Sequence, residues 1–194
     1  MPSVLVVCTG NICRSPIAEG MLRDALSARF GEDAPTVSSA GTLGVEGSPA
    51  TPEAVTAAGE RGVDIAAHRA RRLAQVPVDA DLVIAMAEEH RDILGHESGL
   101  GERSFTLKEL VRLLESLPPV SPGAGPDSLR ERVDQARAAR RAGFAGNPLD
   151  EDVPDPIGMP LLTYRATAWE LDEWVARLVD GLYGAVPMPA ASEG

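Results

Sequence analysis

Lysine is almost missing from this chain. Lys108 is the only one, and arginine supplies the remaining positive charge. Carboxylates outnumber the bases, so the net charge is -11, which argues against nucleic acid or an anionic membrane as the main partner. Cysteine is nearly missing too. The two present, Cys8 and Cys13, share one short segment and cannot form the disulfide framework of a small secreted domain. No apolar stretch approaches the ~20 residues of a transmembrane helix. The first apolar run is too short for a signal peptide and has no basic leader, so a cytoplasmic protein is expected. The three histidines, His68, His90 and His96, stand at no metal-ligand spacing; neither a metal nor a cofactor is expected. A chain of 194 residues suits one domain with a sizeable core.

What is present is concentrated in residues 4–19. Val4 to Val7 is a continuous apolar run, as in a strand buried on both faces of a parallel sheet. It stops at Cys8. Ser15 and Pro16 read as a helix start, with Ser as N-cap and Pro at the first helical position. Ile17/Ala18, Met21/Leu22, Ala25/Leu26 and Phe30 continue as one apolar stripe, which predicts a helix over about 16–30. The intervening loop, Cys8 to Ser15, can turn the amides of Thr9, Gly10, Asn11, Ile12 and Cys13 toward a single anion, with the positive end of the helix behind them. Gly10 frees the backbone, and Asn11 tolerates left-handed geometry. A cysteine in such an electropositive cradle is favoured as the thiolate. Arg14 offers a planar fork matching two phosphate oxygens, and Ser15 can donate to the sulfur. The chemistry this predicts is attack of Cys8 on phosphorus. Cys-x5-Arg alone is a weak pattern; followed by Ser-Pro, between a buried strand and an amphipathic helix, it is a strong one.

The segment Cys8-Thr9-Gly10-Asn11-Ile12-Cys13-Arg14-Ser15-Pro16 resembles the loop of the low-molecular-weight protein-tyrosine-phosphatase family, with every fixed position of that pattern in place. The resemblance implies a three-layer α/β sandwich on a four-stranded parallel, flavodoxin-like sheet, and a phosphorylated protein as substrate. It also implies a general acid in an Asp-Pro pair ahead of the last helix, here Asp155-Pro156, with Asp150 and Asp152 as rival acids read as surface charges. Ser39-Ala40-Gly41-Thr42 resembles the family's second recurring segment, and His68 falls where a histidine supports the Ser39 and Asn11 side chains behind the loop. Where eukaryotic-type members carry two aromatics after Asp-Pro, this chain has Ile157 and Gly158. The expected substrate walls are therefore the aliphatic Ile12, Val45 and Ile157. A phosphoarginine-hydrolysing branch carries Thr in place of Ile12; an arsenate-reducing branch uses cysteines this chain lacks. Cys8 and Cys13 could still form a reversible disulfide.

The rest of the chain alternates strand and helix patterns. Strands are expected at 36–38, 81–86 and 103–106. Helices are expected at 51–61, 87–94, 107–117, 127–142 and 161–184, the last with a core stripe of Tyr164, Ala168, Leu171, Val175, Leu178 and Leu182. Trp169 and Trp174 are read as packing residues, and His90 and His96 as surface or satisfied ones. Residues 1–184 form one phosphatase domain, with 118–146 as an insertion or lid and 185–194 as a disordered tail. The protein is expected to be a monomer. The functional expectation is a phosphotyrosine phosphatase using Cys8, Arg14 and Asp155. The alternatives are a phosphoarginine or small-molecule phosphatase, and a non-catalytic phosphate-binding or redox-sensing protein.

Overall fold

The computed structural model describes residues 1–76, 79–97, 100–121, 123–143 and 150–185. The elements are β1 (Ser3–Cys8), α1 (Arg14–Phe30), β2 (Thr36–Gly41), α2 (Pro52–Gly59), β3 (Leu82–Ala85), α3 (Glu88–Glu97), β4 (Ser104–Thr106), α4 (Leu107–Ser116), α5 (Ser128–Arg141) and α6 (Leu161–Tyr183). The four strands are all parallel and lie in the order β2-β1-β3-β4.

Side chains alternate across the sheet as the strand period requires. Val4, Val6, Cys8, Leu82, Ile84 and Phe105 join the larger core with α1, α2, α4 and α6. Leu5, Val7, Val83 and Ala85 face a smaller core containing Leu94 of α3, with Leu73 and Leu100. Each such fully buried aliphatic side chain contributes about 1.5–3 kcal/mol, which makes β1 an unyielding base for the loop that follows it. The six-residue core stripe read on α6 is buried, and the fold is the expected flavodoxin-like sandwich.

Element boundaries moved in three informative places. β2 runs on to Gly41 rather than stopping at Ser38, because it pairs with the whole of β1, from Ser3↔Thr36 to Cys8↔Gly41. Gly41 is obligatory there, since a Cβ would sit 2.6 Å from the Thr9 carbonyl oxygen. Arg103 belongs to a 3-10 turn preceding β4. Helix α1 begins at Arg14, two residues earlier than Ser15 as N-cap allows; Ser15 is not free to cap because its hydroxyl is committed elsewhere.

The described part of 118–146 is a strut along the sheet rather than a cover over the loop. α5 sends Leu129, Val133 and Ala136 into the larger core, and its Arg140 donates to the Ser104 carbonyl at 2.8 Å and stacks 3.8 Å from the Phe105 ring. Buried Arg132 donates to Leu114, Pro118 and Gly181 carbonyls, closing the C-terminal ends of α4 and α6. The expected tail lies, apart from Ala185, outside the described residues. Trp169 corrects another expectation: it is 57% exposed on the outer face of α6, while Trp174 stacks with Arg112 and Arg177.

Candidate active site

In an open α/β sheet, ligands bind outside the C-terminal strand ends where the strand order reverses. That point lies between β1 and β3, and it holds the Cys8–Ser15 loop, the start of α3 and the Asp155 segment.

Asn11 is the knot of the loop. It is fully buried and has φ 55°, the left-handed conformation expected of it. Its Oδ1 accepts from the Arg71 amide at 2.8 Å, which fixes which end of the side chain is NH2. That NH2 donates to Ser15 Oγ at 2.9 Å and Ser39 Oγ at 2.7 Å. Each serine oxygen being an acceptor there, its own proton goes onward: Ser39 to a Glu19 carboxylate oxygen, and Ser15 to Cys8 Sγ at 2.9 Å. The Asn11 amide donates to the same sulfur at 3.3 Å. Cys8 Sγ is thus the acceptor at the end of a polarised chain, the arrangement a nucleophilic thiolate needs.

His68 supports this assembly differently from the expectation. Its Nε2 bonds the Asn11 carbonyl oxygen at 2.8 Å, while Asn11 and Ser39 hold each other directly. Burial pushes the His68 pKa down, and Nδ1 lies 3.9 Å from Glu19. Cys13 turns its thiol to Thr51 Oγ1 at 3.6 Å and Tyr164 OH at 3.7 Å. Burial pushes that thiol's pKa up, and both cysteines are free.

Arg14 is 4% exposed and is aimed from three sides. Nη1 donates to the Val153 carbonyl at 3.0 Å, and Nη2 donates to Thr9 Oγ1 at 3.3 Å and Asp155 Oδ2 at 2.6 Å. The other Asp155 oxygen accepts from the Ile157 amide at 3.1 Å. The acid segment is itself tethered at nearly every residue. Asp150 pairs with Lys108 and Arg112, both near 2.9 Å or closer. Buried Glu151 accepts from Thr106 Oγ1 at 2.7 Å and Arg112 at 2.9 Å. Asp152 accepts from the Glu88 amide at the start of α3, and the Val153 amide donates to the Met86 carbonyl, both at 2.8 Å. Asp150 and Asp152 are exposed, as the surface-charge reading expects, and both also anchor this segment; neither touches Arg14.

Cys8, Thr9, Gly10, Ile12, Cys13, Arg14, Asp155 and Ile157 line one cavity of about 130 Å³. Val45 does not line it. Val45 is half-exposed on the neighbouring loop, its amide donating to the Gly10 carbonyl at 3.3 Å. No described residue of 118–146 borders this cavity; a larger hollow of about 650 Å³ lies between α5 and residues 117–121.

Residues 3–116 match the model of the low molecular weight phosphotyrosine protein phosphatase family. The chain belongs to that family. A protein-arginine-phosphatase of Geobacillus stearothermophilus is 30% identical over 92% of this chain and 95% of its own length. A probable low molecular weight protein-tyrosine-phosphatase, EpsP, of Ralstonia solanacearum is 39% identical over 56% of this chain and 72% of its own. A crystal structure of the low molecular weight protein tyrosine phosphatase from T. tengcongensis is 35% identical, covers 93% of this chain and 99% of its own, and superposes with a TM-score of 0.67.

Sequence reasoning missed four contributors. Glu19 sits one helical turn beyond Ser15, on the face of α1 that meets the loop, a spacing that could have pointed to it. Arg71, whose amide holds Asn11 Oδ1 and whose guanidinium donates to the Ser39 carbonyl at 2.8 Å, carries no local signal of either contact. Tyr164 was assigned to packing alone. His90 was set aside as surface or satisfied, yet it is 1% exposed with Nε2 2.9 Å from Thr9 Oγ1.

Proposed function

We propose that the protein hydrolyses phosphotyrosine in proteins through a phosphocysteine on Cys8. The observation that carries this reading is the meeting of Cys8, Arg14 and Asp155 on one cavity, with the sulfur already accepting two hydrogen bonds. Substrate phosphate takes the Arg14 fork and the amides of residues 9–13, displacing Asp155 from its ion pair. The Cys8 sulfur bonds phosphorus as the ester O–P bond breaks, and Asp155 delivers a proton to the leaving oxygen. Water then bonds phosphorus, gives its proton to Asp155, and the S–P bond breaks to return the thiolate. Arg14 and the loop amides balance the charge on the transferring group, and such preorganised donors are worth several kcal/mol in water-poor sites.

The walls favour an aryl ester. Ile12 and Ile157 are aliphatic, and the carboxylate lining the cavity, Asp155, is reserved for the leaving oxygen once phosphate has taken Arg14. A phenyl ring gains by covering these walls. A phosphoarginine guanidinium carries several N–H groups and would meet Asp155 as the one carboxylate among these lining residues, at about 1–3 kcal/mol for each group left unmet.

The test is turnover of an aryl phosphate, then of phosphotyrosine and phosphoarginine peptides, by wild type and Cys8→Ser. Wild-type hydrolysis that Cys8→Ser abolishes, with phosphotyrosine preferred, is expected. No turnover of any of the three by wild type would sink the enzyme reading, and phosphoarginine preferred would overturn the substrate.

A further inference from the structure

One polar group in the loop has a partner the reaction just described does not use. Thr9 Oγ1 sits between Arg14 Nη2, 3.3 Å away, and His90 Nε2, 2.9 Å away, and Thr9 lines the cavity above Cys8. His90 is the third residue of α3, at the end of β3 that flanks β1. Its ring is buried, and its Nδ1 has no hydrogen-bond partner among the described residues.

Two observations decide where the ring proton sits. A buried N–H without an acceptor is rarer and costlier than a buried lone pair without a donor, so the unpartnered Nδ1 carries the lone pair. Independently, the Glu89 carboxylate lies 3.4 Å from Nε2, on the solvent side, and favours a proton there. The imidazole is neutral: burial and then the Arg14 cation push its pKa down to about 4, against the opposing pull of Asp152 and Asp155. Nε2–H therefore donates to Thr9 Oγ1, as does Arg14 Nη2–H. A hydroxyl oxygen has two lone pairs, and both are now occupied by donors. The hydroxyl hydrogen has one free direction left, away from both.

We infer that His90 is a positioning residue that, together with Arg14, turns the Thr9 hydroxyl into an obligatory donor to the phosphoryl group above Cys8. The proposal rests on the phosphatase reading. It adds a side-chain donor to the ring of loop amides, one that tightens as negative charge grows on the phosphoryl oxygens and so acts on the transition state more than on bound substrate.

The experiment compares Thr9→Val, Thr9→Ser, His90→Leu, His90→Gln and the double variant Thr9→Val/His90→Leu. Readouts are kcat and KM for an aryl phosphate, and inhibition by vanadate and by inorganic phosphate. Thr9→Val and His90→Leu should each lower kcat by about tenfold or more, at nearly constant KM. Vanadate should weaken in parallel, with inorganic phosphate little changed. Thr9→Ser keeps the hydroxyl and His90→Gln keeps an N–H donor, so each should recover most of the kcat and vanadate affinity that Thr9→Val and His90→Leu lose. The double variant should be no worse than Thr9→Val, because the histidine acts only through that hydroxyl. Thr9→Val with wild-type kcat and vanadate affinity overturns the proposal, as do losses that multiply in the double variant. Should His90→Leu fail to fold, Thr9→Val, which leaves α3 untouched, decides alone. Inactive wild-type protein would instead strike at the phosphatase reading itself.

Discussion

The nucleophile loop and the acid segment meet at Arg14 but are built in opposite ways. The loop is held from within and from close behind. Asn11 alone makes hydrogen bonds to Ser15, Ser39 and Arg71 and receives His68 on its carbonyl; Asn11, Ser15 and Ser39 are buried, and His68 and Arg71 half-buried. The acid segment is held from far away in sequence, by Lys108, Arg112, Thr106, Glu88 and Met86, and the Asp150 end of its ion pairs with Lys108 and Arg112 is exposed. Buried neutral hydrogen bonds lock a geometry; exposed ion pairs typically contribute 0–1 kcal/mol each and let it shift. The difference matches the work each region does. The cradle must be complete before phosphate arrives, whereas Asp155 must leave Arg14 when it does.

The largest effect is expected where the loop is cut. Asn11→Ala removes three side-chain hydrogen bonds and places a residue with a Cβ but no polar group in left-handed backbone. Stability should fall by about 3 kcal/mol in denaturant unfolding, and kcat/KM should drop by about a hundredfold or more as Ser15 loses its direction. A variant that keeps full activity would show that the loop holds itself without Asn11.

Cutting the acid segment should be gentler and selective. Glu151→Gln weakens the buried tie to Arg112 and Thr106, loosening the ground beneath Asp155. Activity should fall about three- to tenfold on an aryl phosphate with a poor leaving group, which needs the general acid, and hardly at all on one with a strongly activated leaving group. Equal losses on both would mean that Glu151 acts on the nucleophile loop after all, and the contrast between the regions would fail.

The smallest effect is a pH dependence. The folded-state pKa of His90, about 4, lies below the ordinary value of 6.5, so on acidification the unfolded chain takes up the proton first. The contribution is fully present above about pH 6.5 and is lost as the pH falls toward 4. From pH 7.5 to 5.5 the loss is about 1.4 kcal/mol. His68, whose pKa is also lowered by burial, moves stability in the same direction. Urea melts at the two pH values should therefore show a smaller acid loss in His90→Gln than in wild type; equal losses would contradict a neutral buried ring.

The same contrast explains what could be read from the sequence. The nucleophile loop is contiguous, so its strand, its left-handed Asn11, its arginine and its helix start leave a local signature. Ser39 needed a family pattern, because its distance to the loop is set by β2 pairing along all of β1, and so did His68, which reaches the Asn11 carbonyl from the segment beyond α2. Asp155 was legible through Pro156, but its anchors were not: nothing local distinguishes Asp152, which holds the α3 start, from Asp150, which meets Lys108. His90 was missed for a similar reason. Its role depends on β3 lying beside β1, and a lone histidine near a helix start carries no mark of that. Ser15 shows the reverse error, a cap signal overridden because the nucleophile claimed its hydroxyl.

The most direct test of the account is to trap the intermediate. Asp155→Ala should still be phosphorylated by an aryl phosphate with an activated leaving group, since that step then needs little acid help, while hydrolysis of the phosphocysteine lacks its base. Rapid acid quench and peptide mapping should find phosphate on Cys8, accumulating in Asp155→Ala above its wild-type level. Phosphate on another residue, or no covalent adduct in a variant that still releases the leaving group, would contradict the account.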